Sequence, residues 1–285
     1  MIPSQLVYDV GLHNGNDTAY YLYKGYRVVA VEADPTLVAQ AGRRFRRQIA
    51  DGRLILVNAA VSETEGRLPF WICESNSAWS SFDRSVAARN GSPHHEIHVD
   101  AWTFASILEQ FGNPYFLKID IEGNDYLCIR ALVPEESPQY LSIEGSPKIN
   151  ENLAQLRDLG YTGFKLIGQR YFLPMQPDPT PEQVRYEKLM GFGRKLPRFA
   201  QVVRRWISEI WATLILRRDR RWIFPIGTSG SFGEATLGAW QSYDEIKATI
   251  DHFDRQRRRG EPSVFWKDNE YSYWVDLHAR KGENG

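Results

Sequence analysis

The sequence predicts an α/β protein, a mostly parallel sheet with helices on both faces. Three observations predict it. Short apolar runs alternate with helix-length amphipathic stretches through residues 1–145, the signature of βαβ units. A glycine-bearing turn, Gly11 to Gly15, joins the first apolar run to the first helical stretch. An acid, Glu32, ends the second apolar run.

The elements follow in order. Leu6–Val10 reads as a buried strand. Asp17 is the expected N-cap of a helix running to Lys24, because its carboxylate can accept orphan backbone N–H groups. Arg27–Glu32 is the second strand, and Pro35 opens a helix expected to run to about Ile49. Leu54–Val57 is the third strand. Leu68–Cys73 reads as an edge strand and Ser75–Pro93 as a polar loop region. Regular structure resumes with a helix at Trp102–Phe111, a strand at Tyr115–Asp120, a helix at Asp125–Leu132, a strand at Tyr140–Glu144 and a helix from about Asn150 to Leu159. Right-handed crossovers would then place helices on both faces. Phe164–Ile167 and Tyr273–Ala279 read as two further strands, with a helix from about Tyr243 to Arg258 before the second.

Composition bounds the function. Lys+Arg and Asp+Glu are both 35, so no global charge argues for a nucleic-acid partner. Cys73 and Cys128 are the only cysteines, too few for a disulfide framework or a CxxC zinc site. The first residues lack the basic start and apolar stretch of a signal peptide, and no apolar run approaches the ~20 residues of a spanning helix. The expected location is the cytoplasm, with a peripheral position at the inner face of the membrane left open by the helix described below.

The sharpest motif is Asp9-Val-Gly11-Leu-His-Asn14-Gly15, between a strand and a helix. Glycine permits a tight turn and a close approach to a ligand, and the helix N-terminus offers free N–H groups. Glu32 is placed to accept both hydroxyls of a ribose. The spacing is not GxGxxG, which weighs against a nicotinamide dinucleotide.

The succession DVGxxxG, VEADP, VNAAVS, FLKIDIEGND and LSIEGS resembles the FkbM family of S-adenosylmethionine-dependent O-methyltransferases, with KIDIEG (Lys118 to Gly123) its most distinctive piece. The resemblance covers residues 5–150 and the last strand, and departs from the common loop at Leu12-His13, where Ala-Asn is usual. It implies a Rossmann-like class I methyltransferase with a mostly parallel seven-stranded sheet, helices on both faces and a C-terminal helical insertion. The last two strands would supply the antiparallel edge. On this reading residues 1–170 form the cofactor-binding domain, 171–265 an inserted cap and 266–285 the returning strand. The resemblance also implies that Asp9, Gly11, Asn14 and Gly15 contact the methionine part of the cofactor, Glu32 the ribose, and Asn58 and Ala59 the adenine, with Asp120 close by.

Methyl transfer to oxygen needs an aligned acceptor and removal of the hydroxyl proton. Asp120 and Glu122 follow the fourth strand of the sheet and Glu144 ends the fifth, all at the edge where ligands bind in such sheets. Two readings stand. One acid serves as general base, Asp120 or Glu122, or else Asp120 and Glu144 hold Mg²⁺ or another divalent cation that acidifies the acceptor. His95, in the cluster His94, His95 and His98, is a third candidate base. Lys118 is expected to pack or pair rather than react.

Apolar residues at i, i+3, i+4, i+7 spacing from Phe199 to Ile215 mark an amphipathic helix, flanked by Arg198, Arg204, Arg205, Arg217 and Arg218. Basic and Trp-bearing, residues 198–222 suit a lid packed on the core or a peripheral membrane contact. The reading that results is methylation of a hydroxyl on a sugar, glycan or glycosylated metabolite. The alternatives are an NAD(P)-dependent enzyme and a membrane- or glycan-binding module without catalysis. The acceptor and the oligomeric state are not legible in the sequence.

Overall fold

The computed structural model describes residues 5–146, 148–169, 171–181, 184–185, 203, 206–207, 210, 213–225, 227–261 and 275–282. The chain divides into two compact units, Met1–Ile143 with Glu151–Gly160, and Glu144–Asn150 with Tyr161–Gly285.

The strands of the first unit are β1 (Leu6–Val10), β2 (Arg27–Glu32), β3 (Leu54–Asn58), β4 (Ala60–Val61), β5 (Gly66–Cys73), β6 (His94–Trp102), β7 (Phe116–Ile119) and β8 (Tyr140–Glu144). Those of the second are β9 (Tyr161–Gly168), β10 (Arg218–Asp219), β11 (Trp222–Ile223) and β12 (Val275–Lys281). The main sheet has seven strands in the order β3-β2-β1-β7-β8-β12-β9. The pairs β1·β2, β1·β7, β2·β3 and β7·β8 are parallel, and β9·β12 is antiparallel. The fold is therefore the mostly parallel, Rossmann-like sheet that the alternating pattern predicts.

β1 and β7 are buried at nearly every position, as strands covered on both faces must be. Each fully buried Val, Leu or Ile stabilises the fold by about 1.5–3 kcal/mol relative to an exposed one. Tyr8 is also wholly buried. Its hydroxyl donates to the carbonyl of Gly112 at 2.6 Å, so the polar tip is satisfied.

The helices of this unit are α1 (Asn16–Tyr23), α2 (Pro35–Arg44), α3 (Arg46–Ala50), α4 (Arg84–Ala87), α5 (Phe104–Phe111), α6 (Asp125–Arg130) and α7 (Ile149–Asp158). Two expectations need correction, and one unassigned stretch proves to be a strand. Gly15, in the left-handed conformation at φ 75°, is the N-cap of α1, and Asp17 sits buried in the first turn, where its charge complements the helix dipole. The single helix expected from Pro35 to Ile49 breaks at Phe45, whose φ of −107° and ψ of 21° leave the helical region between α2 and α3. The histidine cluster lies on a strand, β6, antiparallel to β5 from Gly66↔Ala101 to Cys73↔His94. β6 buries only Val99 and Ala101, so it carries little of the alternation that betrays a strand. Asp34 caps α2 by accepting from Thr36 N–H at 2.7 Å, with Pro35 at the first helical position as expected.

In the second unit, β9 and β12 pair from Val275↔Gly168 to Lys281↔Tyr161. The helix α8 (Tyr243–Arg258) opens with a capping box between Ser242 and Glu245. Most of the amphipathic stretch 198–216 lies outside the described residues. Of it, Val203, Trp206, Ile207, Ile210 and Thr213 to Ile215 are helical.

Candidate active site

The strand order reverses at β1, which has β2 on one side and β7 on the other. Parallel strands leave a crevice at their carboxyl ends at such a point. The Gly11–Gly15 loop leaves β1 there and Asp120 leaves β7. Asp120 N–H donates to Val10 O at 2.9 Å, which ties the two strand ends together. Gly11 has φ +89°, and a Cβ on it would stand 1.8 Å from the carbonyl oxygen of Asp120. Glycine is thus demanded twice, by torsion and by contact.

A charge cluster underlies the loop. Asp9 is fully buried. Its Oδ2 accepts from Thr18 Oγ1 at 2.6 Å, and its Oδ1 lies 3.2 Å from Lys118 Nζ as an ion pair. Lys118 also donates to Gly11 O at 2.8 Å and lies 3.6 Å from Asp120 Oδ2. Burial pulls its pKa down, and the charges of Asp9, Asp120 and Asp17 together hold it above the ordinary lysine value. Lys118 packs and pairs, as expected. The Asp9 carboxylate therefore acts on the loop from beneath.

Glu32, half-buried at the end of β2, accepts His13 N–H at 2.8 Å on one oxygen and Asp34 N–H at 2.9 Å on the other. Burial raises its pKa, and those two N–H groups oppose the rise. Each oxygen keeps a further lone pair, the acceptor set that a vicinal ribose diol requires. Asn58 donates its amide to Glu32 O and Ala33 O at 3.0 and 3.1 Å, which fixes the ends of β2 and β3 beside it. Ala59, next in the chain, is buried. Asn14 turns its Oδ1 onto Asn16 N–H at 3.0 Å, and its carbonyl accepts from Arg44. The residues present therefore fit the nucleoside end of S-adenosylmethionine.

Glu122 lies two residues beyond Asp120, at φ +50°. Asp125 closes this turn by accepting from Ile121 N–H at 3.0 Å and Gly123 N–H at 3.1 Å. Ser81 Oγ donates to Glu122 O at 2.9 Å. Arg89 Nη2 lies 3.3 Å from Glu122 Oε2, and its guanidinium stands 5.5 Å from the Trp79 ring centre. Burial, then the Asp120 charge, push the Glu122 carboxyl up to about 7 while Arg89 opposes. The acid is thus poised where a general base works best.

The structure brings Asp120 and Glu122 together. His95 is placed apart from them in the bonding pattern, on β6, its Nδ1 2.9 Å from Glu74 Oε1. Among the described residues no hydrogen bond or ion pair joins His95 to either acid. Glu144 ends β8, and among the described residues no three His, Cys, Asp or Glu side chains gather as a metal site. The divalent cation finds no support among the described residues.

Sequence reading missed Ser77, Trp79, Ser81 and Arg89, all in the stretch between β5 and β6. It left His13 without a role. His13 takes a left-handed φ of 49°, and its Nε2 lies 2.9 Å from Ser77 Oγ. Burial, then Lys118, lower its pKa. Asn76 and Asp83 were the available signals, since each caps a short helical turn, accepting from Ala78 N–H at 3.2 Å and Ser85 N–H at 2.8 Å.

Known proteins resemble the chain in part. A probable ribosomal RNA small subunit methyltransferase A from Methanospirillum hungatei JF-1 is 41% identical over 56 residues, 20% of this chain and 22% of that protein. The match thus spans about a fifth of that relative's length. Among solved structures, a precorrin-6y C5,15-methyltransferase from Geobacter metallireducens GS-15 is 14% identical with a TM-score of 0.35, over 57% of this chain and 66% of that one. The 1,6-didemethyltoxoflavin-N1-methyltransferase of Burkholderia thailandensis, solved with S-adenosylhomocysteine, is 16% identical with a TM-score of 0.28, over 56% and 61% of the two chains. The model of the methyltransferase FkbM domain matches residues 9–162, the segment that carries the turn, Glu32, Asp120 and Glu122. The chain belongs to the FkbM family of S-adenosylmethionine-dependent methyltransferases.

Proposed function

We propose that this methyltransferase acts on a hydroxyl of a sugar, glycan or glycosylated metabolite, with Glu122 as general base. One observation carries the oxygen acceptor, the Glu122 carboxyl raised to about 7 beside Asp120. A neutral hydroxyl must lose its proton as it attacks, and a carboxylate of that basicity is matched to the task. The sugar rests on the FkbM family's tendency and on Trp79 beside Arg89, the partner of the acid, since aromatic rings suit the apolar faces of sugars. The balanced charge of the chain gives no support to a nucleic-acid acceptor.

When bound, S-adenosylmethionine supplies an electrophilic methyl group on a sulfonium centre and leaves as the neutral thioether. Glu32 holds the ribose and the Gly11–Gly15 loop borders the amino-acid end. Asp120 presents negative charge toward the sulfonium. Glu122 accepts the hydroxyl proton as the new O–C bond forms, and Arg89 holds its carboxylate in position. His95, already paired with Glu74, takes no part.

The test is S-adenosylhomocysteine release over a panel of monosaccharides, nucleotide sugars and lipid-linked glycans, comparing wild type with Glu122→Gln. A loss of about 10²–10⁴-fold in kcat is expected, with the wild-type rate rising through pH 7. A Glu122→Gln enzyme that keeps a tenth of wild-type turnover on the best acceptor overturns the base assignment.

A further inference from the structure

We propose that the chain docks on the surface of an anionic lipid membrane through the exposed side chains of Val203, Trp206, Ile207, Ile210, Leu214 and Ile215, laid flat in the interface. The inference concerns the second unit alone and is independent of the acceptor. Val203, Trp206, Ile207, Ile210, Leu214 and Ile215 recur at helical spacing, and all six are exposed, between 40% and 67%. A helix serving as a packed lid would turn this stripe inward. Here the stripe faces solvent, with Ile223 of β11 exposed as well. Large apolar side chains exposed at successive helical positions mark an interaction site.

Charge selects the partner. Residues 194–221 carry nine Lys and Arg against two acids, Glu209 and Asp219, while the whole chain is formally neutral. Arg218, Arg220 and Arg221 are exposed beside the stripe. Arg217 is buried and donates to Phe224 O, which ties the residues after the helix to the residue that follows β11. A second copy of the chain would bring two such basic faces together and repel. A nucleic acid would satisfy the arginines and leave five aliphatic side chains in water. An anionic lipid surface answers both, since phosphates meet the guanidinium groups and the acyl boundary takes up Trp206 and the aliphatic stripe. No described helix is long and apolar enough to cross a membrane, which agrees with an interfacial position.

The experiment is co-sedimentation of the full chain with phosphatidylcholine vesicles, with and without roughly a third of phosphatidylglycerol. Binding is expected to the anionic vesicles only, and to fall steeply with salt. The triple variant Arg218→Gln, Arg220→Gln, Arg221→Gln should bind about a hundredfold more weakly, near fivefold per arginine. The triple variant Trp206→Ser, Ile207→Ser, Ile210→Ser should lose binding altogether. All six side chains are exposed, so circular dichroism and S-adenosylhomocysteine affinity should match wild type. Folded wild type that ignores anionic vesicles overturns the proposal, and so does binding that neither variant weakens. A dimer abolished by the serine variant, with no vesicle binding, assigns the face to a second copy and overturns it too.

Discussion

Gly11→Ala tests whether the β1–β7 contact dictates the loop. Alanine at φ +89° costs about 1–2 kcal/mol by torsion alone. The clash is larger. Its Cβ would lie 1.8 Å from Asp120 O and 2.8 Å from Asp120 C, where real contacts stay beyond 3.0 Å. The two strand ends must part by about 1.2 Å, the difference between those distances. Such a movement strains the Asp120 N–H to Val10 O bond at 2.9 Å and the Lys118 to Gly11 O bond at 2.8 Å. Losing a buried hydrogen bond costs about 1–3 kcal/mol, so the variant should lose about 3 kcal/mol or more. Gly25→Ala is the control, because Gly25 has φ +93° and nothing within 4 Å of the added Cβ. It should lose the torsional 1–2 kcal/mol only. Urea unfolding followed by tryptophan fluorescence gives both numbers. Equal losses for the two variants would refute the contact argument, because torsion is all they share.

Two further outcomes follow from the charges. Glu32→Ala should weaken S-adenosylhomocysteine binding about 150-fold or more, the worth of two hydrogen bonds to a charged group. Glu32→Gln, which preserves shape, should fall between, and calorimetric affinities unchanged from wild type would remove the ribose assignment. Burial lowers the Lys165 pKa to about 8, below its ordinary value, so the native state releases the proton first and stability should rise between about pH 8 and 10.5 by up to about 3 kcal/mol. Lys165→Met should flatten that rise in unfolding midpoints, and an unchanged slope would show that burial does not penalise this ammonium.

The parallel core was legible because strands buried on both faces read as unbroken apolar runs. Val28 to Val31 needed no partner to be recognised. The errors fall where local chemistry competes. Asp17 has the composition of an N-cap, but Gly15 two residues earlier tolerates the left-handed conformation that the turn demands, and the helix starts around it. β6 was hidden because one face of its small sheet is wet, so His94, Glu96 and His98 supply polar character where a buried strand would show Val or Ile. The acids at strand ends were visible for the same reason as the strands. Ser77, Trp79, Ser81 and Arg89 were not, since no period runs through residues 75–93 and their positions depend on contacts made across the turn after β7.

That hidden stretch matters most to the chemistry. Asp120 and Glu122 are two residues apart on one turn, yet they meet different surroundings. Asp120 faces the buried ammonium of Lys118. Glu122, at positive φ, pairs among the described residues with Arg89, whose side chain is 45% exposed. A half-solvated cation offsets less desolvation than a buried one, so burial prevails at Glu122 and raises its carboxyl. Different surroundings allow two neighbouring acids different duties. On the proposed reaction, the ion-paired acid steadies positive charge and the other takes the proton. The division is set by the burial of Glu122, and Arg89, a residue 33 positions upstream of it, tempers that rise. A change at Arg89 would therefore retune the base without touching the motif.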